Sequence, residues 1–253
     1  MASSTIAVTP TVINAKGLPY RELNALVKEA VAGGATEIIL ENVNGQRYIG
    51  TGVPGKVNIT IKGVPGNDLG AFLDGPTITV LGNGQDAIAN TMNAGKIVVH
   101  GHAGDVLGYG MRGGKLFVKG DVGYRVGIHM KAFKSQVPVI IVGGTARDFF
   151  GEYMAGGILV LLGLGANGRS MVGDYCGTGM HGGAMYLRGK VDPFYLGKEV
   201  SVSEPGEEDL AELRPLLEEY CRDLQLDPAA ILSEPFIKLV PVSHRPYGKL
   251  YCY

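Results

Sequence analysis

The sequence has few of the features by which proteins are most readily classified. It contains no tryptophan and three cysteines, Cys176, Cys221 and Cys252, whose wide spacing forms no metal motif and no evident disulfide framework. The net charge is −1 and basic residues form no long cluster, which argues against nucleic-acid binding. The pattern of apolar residues and glycines is therefore the main source of information.

Segments that would direct the chain to or through a membrane are also lacking. The longest uncharged apolar stretch covers residues 154 to about 166 and is too short to span a bilayer. The opening residues, MASSTIAVTP, lack the basic and apolar regions of a signal peptide. We therefore expect a cytoplasmic protein that makes no contact with membranes.

Glycine, by contrast, is abundant, with 40 residues. Seven glycines recur at intervals of 19, 19, 19, 23, 20 and 26 residues, and we call them the anchor glycines: Gly63, Gly82, Gly101, Gly120, Gly143, Gly163 and Gly189. Apolar residues stand four and two positions before every anchor. Because strand side chains alternate between two faces, this spacing predicts one short strand with an apolar inner face in each unit. The first of the two positions holds Ile59, Ile78, Ile97, Leu116, Val139, Leu159 and Met185.

Units of this length leave no room for the crossover helix that usually connects parallel strands. Stacked coils would bury the inner faces as continuous apolar ladders, and glycine would supply the tight corners. The repeat therefore predicts an all-β core in the form of a right-handed parallel β-helix of about seven coils. Helical patterns at Tyr20–Ala32 and Glu207–Leu224 predict flanking helices that cap the β-helix at both ends.

This organisation divides the chain into an N-terminal capping segment (1–37), the β-helix (38–190) and a C-terminal helical extension with a tail (191–253). Pro215 is expected to kink or split the C-terminal helix. In the units that end at Gly143 and Gly163 the outward positions are apolar too, which indicates that something covers them. The C-terminal helix is the preferred cover, and a partner protein is the alternative. The outward residues concerned are Ile140, Val142, Val160 and Leu162.

The pattern G-x-G-x-x-G, typical of dinucleotide sites, occurs four times, starting at Gly50, Gly108, Gly163 and Gly177. A dinucleotide site needs a helix directly after the pattern, so that the helix N-terminus receives the pyrophosphate. Strand-like residues follow the patterns at Gly108 and Gly177 instead. We therefore interpret the patterns as corners of the solenoid and predict no cofactor-binding residue on this chain.

Three groups of polar residues are candidates for chemistry. The first is His100, His102 and Asp105, the second is Asp174, Cys176 and His181, and the third is Arg125, His129, Lys131 and Lys134. The first could bind a metal, the second could pair a cysteine nucleophile with a histidine base, and the third could hold an anion or an acidic partner. We prefer to interpret the first two groups as corner residues and the third as a solvated face. We therefore predict no catalytic and no metal-binding residue.

Several corners resemble the GXGXG domain of glutamate synthase, over about residues 38–190. The resemblance is carried by residues 66–72 (GNDLGAF), 111–115 (MRGGK), 152–157 (EYMAGG) and 180–183 (MHGG). Residues 13–17 (INAKG), 42–48 (NVNGQRY) and 245–248 (RPYG) are similar to the free-standing, archaeal-type form of that domain. The third subunit of formylmethanofuran dehydrogenase shares the repeat and is the runner-up.

What this resemblance implies is a noncatalytic scaffold. In glutamate synthase, an amidotransferase domain releases ammonia from glutamine, and a domain with FMN and an iron–sulfur cluster adds it reductively to 2-oxoglutarate. The GXGXG domain carries none of those catalytic residues. The implied partners are amidotransferase and FMN-binding synthase subunits, which would carry FMN, iron–sulfur clusters and NADPH. The sequence is consistent with a noncatalytic role, because residue 2 is alanine rather than a cysteine nucleophile and no cysteine cluster could ligate iron.

Three alternatives stay open. The chain could be the corresponding scaffold of a formylmethanofuran dehydrogenase-like enzyme, or a structural β-helix that assembles into a homo-oligomer. A stand-alone enzyme acting at the loop from Asp174 to His181 is a further hypothesis. The longer units that end at Gly143 and Gly189 depart from the regular spacing and could mark a different partner surface.

Overall fold

The computed structural model describes residues 9–244. Segment 245–248 and Cys252 lie outside this range. The elements, in chain order, are β1 (Thr11–Asn14), α1 (Tyr20–Ala32), β2 (Glu37–Asn44), β3 (Asn58–Val64), β4 (Asp74–Val80), β5 (Ala94–Val99), β6 (Lys115–Val118), β7 (Val139–Val142), β8 (Ala155–Leu161), β9 (Gly182–Arg188), a 3-10 helix (Pro193–Tyr195), β10 (Val200–Ser203), α2 (Glu207–Leu224), α3 (Pro228–Leu232) and β11 (Phe236–Pro241). No helix in the described range is long and apolar enough to cross a membrane.

Within residues 9–244 all the strands belong to one eleven-stranded sheet, in the order β1 to β9 followed by β11 and β10. From β2 to β9 each strand pairs in parallel with the next one along the chain, and no helix intervenes. The prediction of a parallel β-solenoid is confirmed. It has about six turns rather than seven, because the seven repeated strands, β3 to β9, enclose six turns.

Apolar side chains in register fill the interior of the solenoid. Ile59, Ile78, Ile97 and Leu116 occupy equivalent positions on β3 to β6, and each is at most 1% exposed. Complete burial of such a side chain stabilises the fold by roughly 1.5–3 kcal/mol. A second set of interior residues follows the corners of successive coils, and all of its members are fully buried methionines: Met92, Met111, Met130, Met154 and Met180.

Strand β7 differs from the predicted repeat by one residue. Its pairing with β6 turns Ile140 and Val142 into the interior, although the repeat predicted them to face outward. Val139 and Ile141, which the repeat predicted to face inward, pack on the outer side of the sheet. Because side chains alternate every residue, a shift of one position exchanges the two faces of the strand.

The anchor glycine of this unit is consequently Gly144 and not Gly143. The N–H of Gly144 donates to the carbonyl oxygen of Gly120, the anchor of the preceding unit, at 3.0 Å. All four residues of β7 are apolar and two consecutive glycines follow them, so both registers satisfy the pattern. Only the contacts with the neighbouring coils distinguish the two.

Side-chain oxygens join successive coils by accepting hydrogen bonds from backbone N–H groups. Asp86 Oδ1 accepts from Asp105 N–H, and Asp105 Oδ1 accepts from Tyr124 N–H, both at 2.9 Å. A Cβ on the residue before each donor would lie 2.0 Å from Asp86 Oδ1 at Gly104 and 1.8 Å from Asp105 Oδ1 at Gly123. Glycine is therefore required at both positions by the close approach of the next coil.

Helix α2 covers the outer face of the sheet, which confirms the preferred cover for Val160 and Leu162, whereas Ile140 and Val142 face the interior. Its apolar side chains form a second core with outward residues of β5 to β9. They are Leu213, Leu217, Tyr220, Cys221 and Leu224. The ring of Tyr220 meets Phe117 edge-on at 5.6 Å, and its hydroxyl donates to the carbonyl oxygen of Val118 at 3.2 Å. The helix is not split at Pro215.

The two ends of the interior are closed in different ways. Leu23 and Val27 of α1 are buried in the interior core, as expected for an N-terminal cap. Helix α2 lies on the outer face instead of over the last coil. There, β11 pairs antiparallel with β9, Leu239 is buried in the interior core, and Tyr195 and Leu196 pack against that core. A strand and a loop thus close the end at which the sequence predicted a capping helix.

Charged residues tie α2 to the edge of the second core. Glu219 accepts hydrogen bonds from Lys96 and Lys115, and Asp223 accepts one from Lys96. Burial alone raises the pKa of Glu219, but the hydrogen bonds and charges of Lys115 and Lys96 outweigh it, so the pKa lies below its usual value. Glu219 therefore stabilises this contact while it is ionised.

The substitution Gly104→Ala tests the close approach between coils. The nearest backbone atom to the new Cβ is 3.2 Å away, so the main clash is with the Asp86 carboxylate. We expect the free energy of unfolding to fall by about 1–3 kcal/mol in urea denaturation. In an Asp86→Ala background the same substitution should cost about 1 kcal/mol less, since the clashing group is gone. Equal costs in both backgrounds would contradict the steric explanation.

Glu219→Gln tests the ionic contact of α2. Because the pKa of Glu219 is lowered in the folded state, its stabilisation is complete above the ordinary value of 4.5 and is lost as the pH falls through the folded-state pKa. The variant should lose about 1–2 kcal/mol of unfolding free energy at pH 7 and show a flatter decline below pH 4.5. Urea titrations at several pH values measure both effects. Glu218→Gln, on the exposed side of α2, is the control, and identical profiles for the two variants would refute the contact's role.

Candidate functional site

Each coil turns at a corner in which every second residue has a left-handed backbone. In one coil these residues are Val106, Gly108 and Gly110, with φ of 60°, 65° and 57°. The N–H groups of Val106 and Gly110 donate to the following coil, and that of Gly108 donates to the preceding coil, at 2.8–2.9 Å. All three amides are thus engaged in stacking and are not free to cradle a phosphate.

The corner interpretation agrees with this geometry for three of the four glycine patterns. The patterns that start at Gly50, Gly108 and Gly177 lie at corners of the stack, and the one at Gly163 lies in the loop between β8 and β9. Strands β6 and β9 follow the patterns at Gly108 and Gly177, so neither pattern is followed by a helix N-terminus.

Large side chains occupy left-handed corner positions in the later coils and stack along the solenoid. In one row the guanidinium of Arg125 lies 4.4 Å from the centre of the Phe149 ring, and Phe149 stacks on Tyr175 at 5.2 Å. In a second row His129 stacks on Tyr153 at 5.3 Å, with the rings 9° from parallel. We call these five residues the aromatic rows. A positive φ costs a non-glycine residue roughly 1 kcal/mol or more, which the hydrogen bonds between coils offset.

An ion pair between the partly exposed Arg125 and the buried Glu152 connects the two rows. Glu152 is 6% exposed and forms an ion pair with Arg125 of the first row, while its carbonyl oxygen accepts from His129 N–H of the second row at 3.2 Å. A buried carboxylate is costly unless it is paired, so this contact holds Arg125 in place over the Phe149 ring. The rows therefore present a rigid surface.

The surface of the rows continues into a cleft at the last coil. Tyr175 is 57% exposed and Phe194 is 78% exposed, and both line a cleft of about 350 Å³ together with Leu196. Aromatic rings exposed on a rigid support suit binding through stacking and apolar contact. Glu199 also lines this cleft, but its carboxylate accepts from the N–H of Gly179 at 3.2 Å.

The first candidate group is part of the coil-to-coil bonding. His102 Nδ1 accepts from the backbone N–H of Asp121 at 2.9 Å, and His102 N–H donates to Asn83 Oδ1 at the same distance. Burial and the charge of Lys119 lower the pKa of His100. Within residues 9–244 no three potential metal ligands come together. The metal hypothesis for His100, His102 and Asp105 therefore has no structural support.

The residues of the second candidate group do not share one environment, because one of them is buried in the core. Cys176 lies in the interior core with no exposed surface, and burial raises the pKa of its thiol to about 12. Asp174 is exposed and its N–H donates to Asp148 Oδ1, whereas His181 Nδ1 donates to the carbonyl oxygen of Gly179 at 3.1 Å. A thiol that stays protonated inside the core is a poor nucleophile, which disfavours catalysis at this loop.

The third candidate group divides between two places. Arg125 and His129 belong to the aromatic rows, whereas Lys131 lies in a separate cleft beside Arg112. The ammonium of Lys134 lies 5.2 Å from the centre of the Phe133 ring. The sequence interpretation missed the rows altogether, because their members are 24 to 26 residues apart. Aligning the corners by their glycines would have placed Phe149 and Tyr175 at equivalent positions.

The fold and its corners define a class of parallel β-solenoid with glycine-rich, left-handed turns and a helix packed on the outer face. The chain belongs to the GXGXG motif family, whose model matches residues 30–242. That range extends from the end of α1 beyond β11, so it contains the whole solenoid together with α2 and α3.

Two relatives illustrate the breadth of this similarity. An uncharacterized protein of Methanocaldococcus jannaschii is 49% identical over 249 residues, which cover 95% of each chain. The ferredoxin-dependent glutamate synthase 2 of Synechocystis sp. is 30% identical over 183 residues, or 66% of this chain. The aligned region makes up 11% of that cyanobacterial enzyme. The region similar to this chain is therefore a small part of the cyanobacterial enzyme.

Because the thiols of Cys176 and Cys221 are buried, we expect them to react slowly in the native protein. Burial also raises the pKa of Cys221, which lies on α2 in the second core. In a Cys252→Ser variant, native protein at pH 8 should react with iodoacetamide at least about 100-fold more slowly than the same protein in denaturant. Peptide mapping identifies the modified residue. Rapid modification of Cys176 in the native protein would contradict this assignment and revive the nucleophile hypothesis.

Proposed function

We propose that this chain is a noncatalytic solenoid subunit of a glutamate synthase-like oxidoreductase, which forms glutamate from glutamine and 2-oxoglutarate. The observation that carries the proposal is the alignment of 183 residues with a ferredoxin-dependent glutamate synthase. Because that match covers 11% of the enzyme, the remaining functions of such an enzyme would reside on other chains here.

The chemistry of the described surface supports a scaffold role. Corner amides are used in stacking, Cys176 is buried, and no three potential metal ligands meet within residues 9–244. What the chain offers instead is rigid, exposed aromatic surface, of the kind enriched at protein interfaces. We infer that its role is to hold other subunits in position.

The partners in this proposal are an amidotransferase subunit and an FMN-binding synthase subunit. FMN and iron–sulfur clusters would be bound by the synthase subunit. The electron donor would be NADPH, as inferred from the resemblance, or ferredoxin, as in the name of the cyanobacterial relative. Assays of the complex with each donor separate these two possibilities.

The alternative of a self-assembling solenoid has weaker physical support. The outermost strands of the sheet, β1 and β10, are only four residues long, and short edge strands oppose pairing between molecules. The formylmethanofuran dehydrogenase-like alternative shares the repeat and makes a different prediction about partners, namely a subunit that carries molybdopterin or tungstopterin.

Affinity purification of the tagged full chain from its own cells tests the proposal. We expect amidotransferase and flavin-containing subunits to copurify and the eluate to form glutamate from glutamine and 2-oxoglutarate. Mass spectrometry identifies the partners. A pterin-containing subunit would favour the formylmethanofuran dehydrogenase-like alternative, and the chain alone, self-associated and inactive, would refute the scaffold role.

Variants of the exposed aromatic cleft test which surface the partners contact. Tyr175→Ala and Phe194→Ala together should reduce recovery of the partner subunits at least about fivefold, because exposed aromatic residues commonly dominate interface energies. The control is Leu81→Ala, which removes a similarly exposed apolar side chain elsewhere. Equal recovery with both proteins would exclude this cleft as the contact surface while leaving the scaffold role intact.

A further inference from the structure

A row of polar side chains lies at another corner of the solenoid. Each member comes directly after a buried corner residue in the sequence. Asp74, Asn93, Arg112 and Lys131 stand one coil apart at equivalent positions. The N–H groups of Arg112 and Lys131 donate to the preceding coil in the same way, to the carbonyl oxygens of Met92 and Met111 at 2.8 and 2.9 Å. Successive coils lie about 4.8 Å apart. Along this row the charge changes from negative, through a neutral amide, to two adjacent positive charges.

The two positive charges have no ion-pair partner in the part of the chain that the structure describes. Neither Arg112 nor Lys131 takes part in any ion pair formed within residues 9–244. Lys96 and Lys115, which also stand one coil apart, both pair with Glu219. Like charges at adjacent positions repel each other, so an anion between Arg112 and Lys131 would relieve an unfavourable arrangement.

A longer unit of the repeat adds a loop beside this row, and the loop and the row together form a cleft. Phe133 and Gln136 exchange two backbone hydrogen bonds of 3.0 Å and close a tight loop beside Lys131. This loop and the polar row line a cleft of about 490 Å³, a volume typical of small-molecule sites. Phe133 is 52% exposed and contributes an apolar face, while Asn93 and Gln136 contribute amide groups.

We propose that this cleft binds a small organic anion whose carboxylate or phosphate group lies between Arg112 and Lys131. The guanidinium fork of Arg112 can donate two parallel hydrogen bonds to either group. Asp74 stands two coils from Arg112, roughly 10 Å away, and favours a ligand with an ammonium or hydroxyl group at its far end. An amino acid with an acidic side chain has this distribution of charge. The proposal does not depend on the identity of the enzyme complex.

Isothermal titration of the full chain at low salt, separately with L-glutamate, 2-oxoglutarate and inorganic phosphate, tests the proposal. We expect at least one of them to bind with a Kd below about 1 mM. Arg112→Ala and Lys131→Ala should each weaken that binding at least about tenfold. Lys28→Ala, which removes an exposed cation from α1, should leave it unchanged. All three positions are exposed, so thermal unfolding should be unaffected.

The three probes and one further variant distinguish the ligand classes. Asp74→Asn should weaken the binding of L-glutamate but strengthen that of phosphate, because it removes the negative charge at the far end of the cleft. Binding of phosphate alone would assign the site to phosphate compounds. Absence of binding by all three probes, or equal binding by the Arg112→Ala variant, would overturn the proposal. Loss of a copurifying protein from that variant, without binding of any probe, would show that the cleft contacts an acidic partner instead.

Discussion

The close stacking of successive coils is the constraint on which the rest of the structure depends. At about 4.8 Å between coils, the strand amides and many corner amides donate to the coil above or below. The alternating left-handed corners accomplish this by directing successive N–H groups to opposite neighbours, as Val106 and Gly108 do. The same spacing leaves no room for a Cβ beside the Asp86 and Asp105 carboxylates, which is why glycine stands at Gly104 and Gly123.

Burial on both faces of the later strands follows from the same architecture. The solenoid buries one face of each strand inside, but the outward residues of β7 and β8 are apolar as well and would face water without α2. The helix lies so close to the sheet that a Cβ at Gly143 would come 2.4 Å from the Tyr220 hydroxyl oxygen. A glycine in the strand region, already required by the Lys119 carbonyl oxygen of the preceding coil at 2.2 Å, thus also serves the packing of a helix that begins at Glu207.

A rigid rod with different surfaces on different sides is well suited to assembly. The outer face of the sheet is covered by α2, one corner presents the aromatic rows, and another presents the polar row with its two adjacent cations, Arg112 and Lys131. Each surface consists of side chains from several coils, so the relative positions of those side chains depend on how the coils stack. The ion pair between Arg125 and the buried Glu152 illustrates this, because it ties the outermost ring stack to the backbone of the neighbouring row.

The sequence by itself determined the solenoid, the bounds of α1 and α2 and the need for an outer cover, because a period near 19 residues and alternating apolar positions are local signals. It did not determine the register of β7, since its apolar run and double glycine fit both faces. Nor did it reveal the aromatic rows or the adjacent positions of Arg112 and Lys131 on successive coils. Those arrangements join residues 19 to 26 positions apart, and only the stacking of coils decides which side chains meet. The burial of Cys176, which raises the pKa of its thiol, is likewise a property of the assembled core, not of the loop sequence around it.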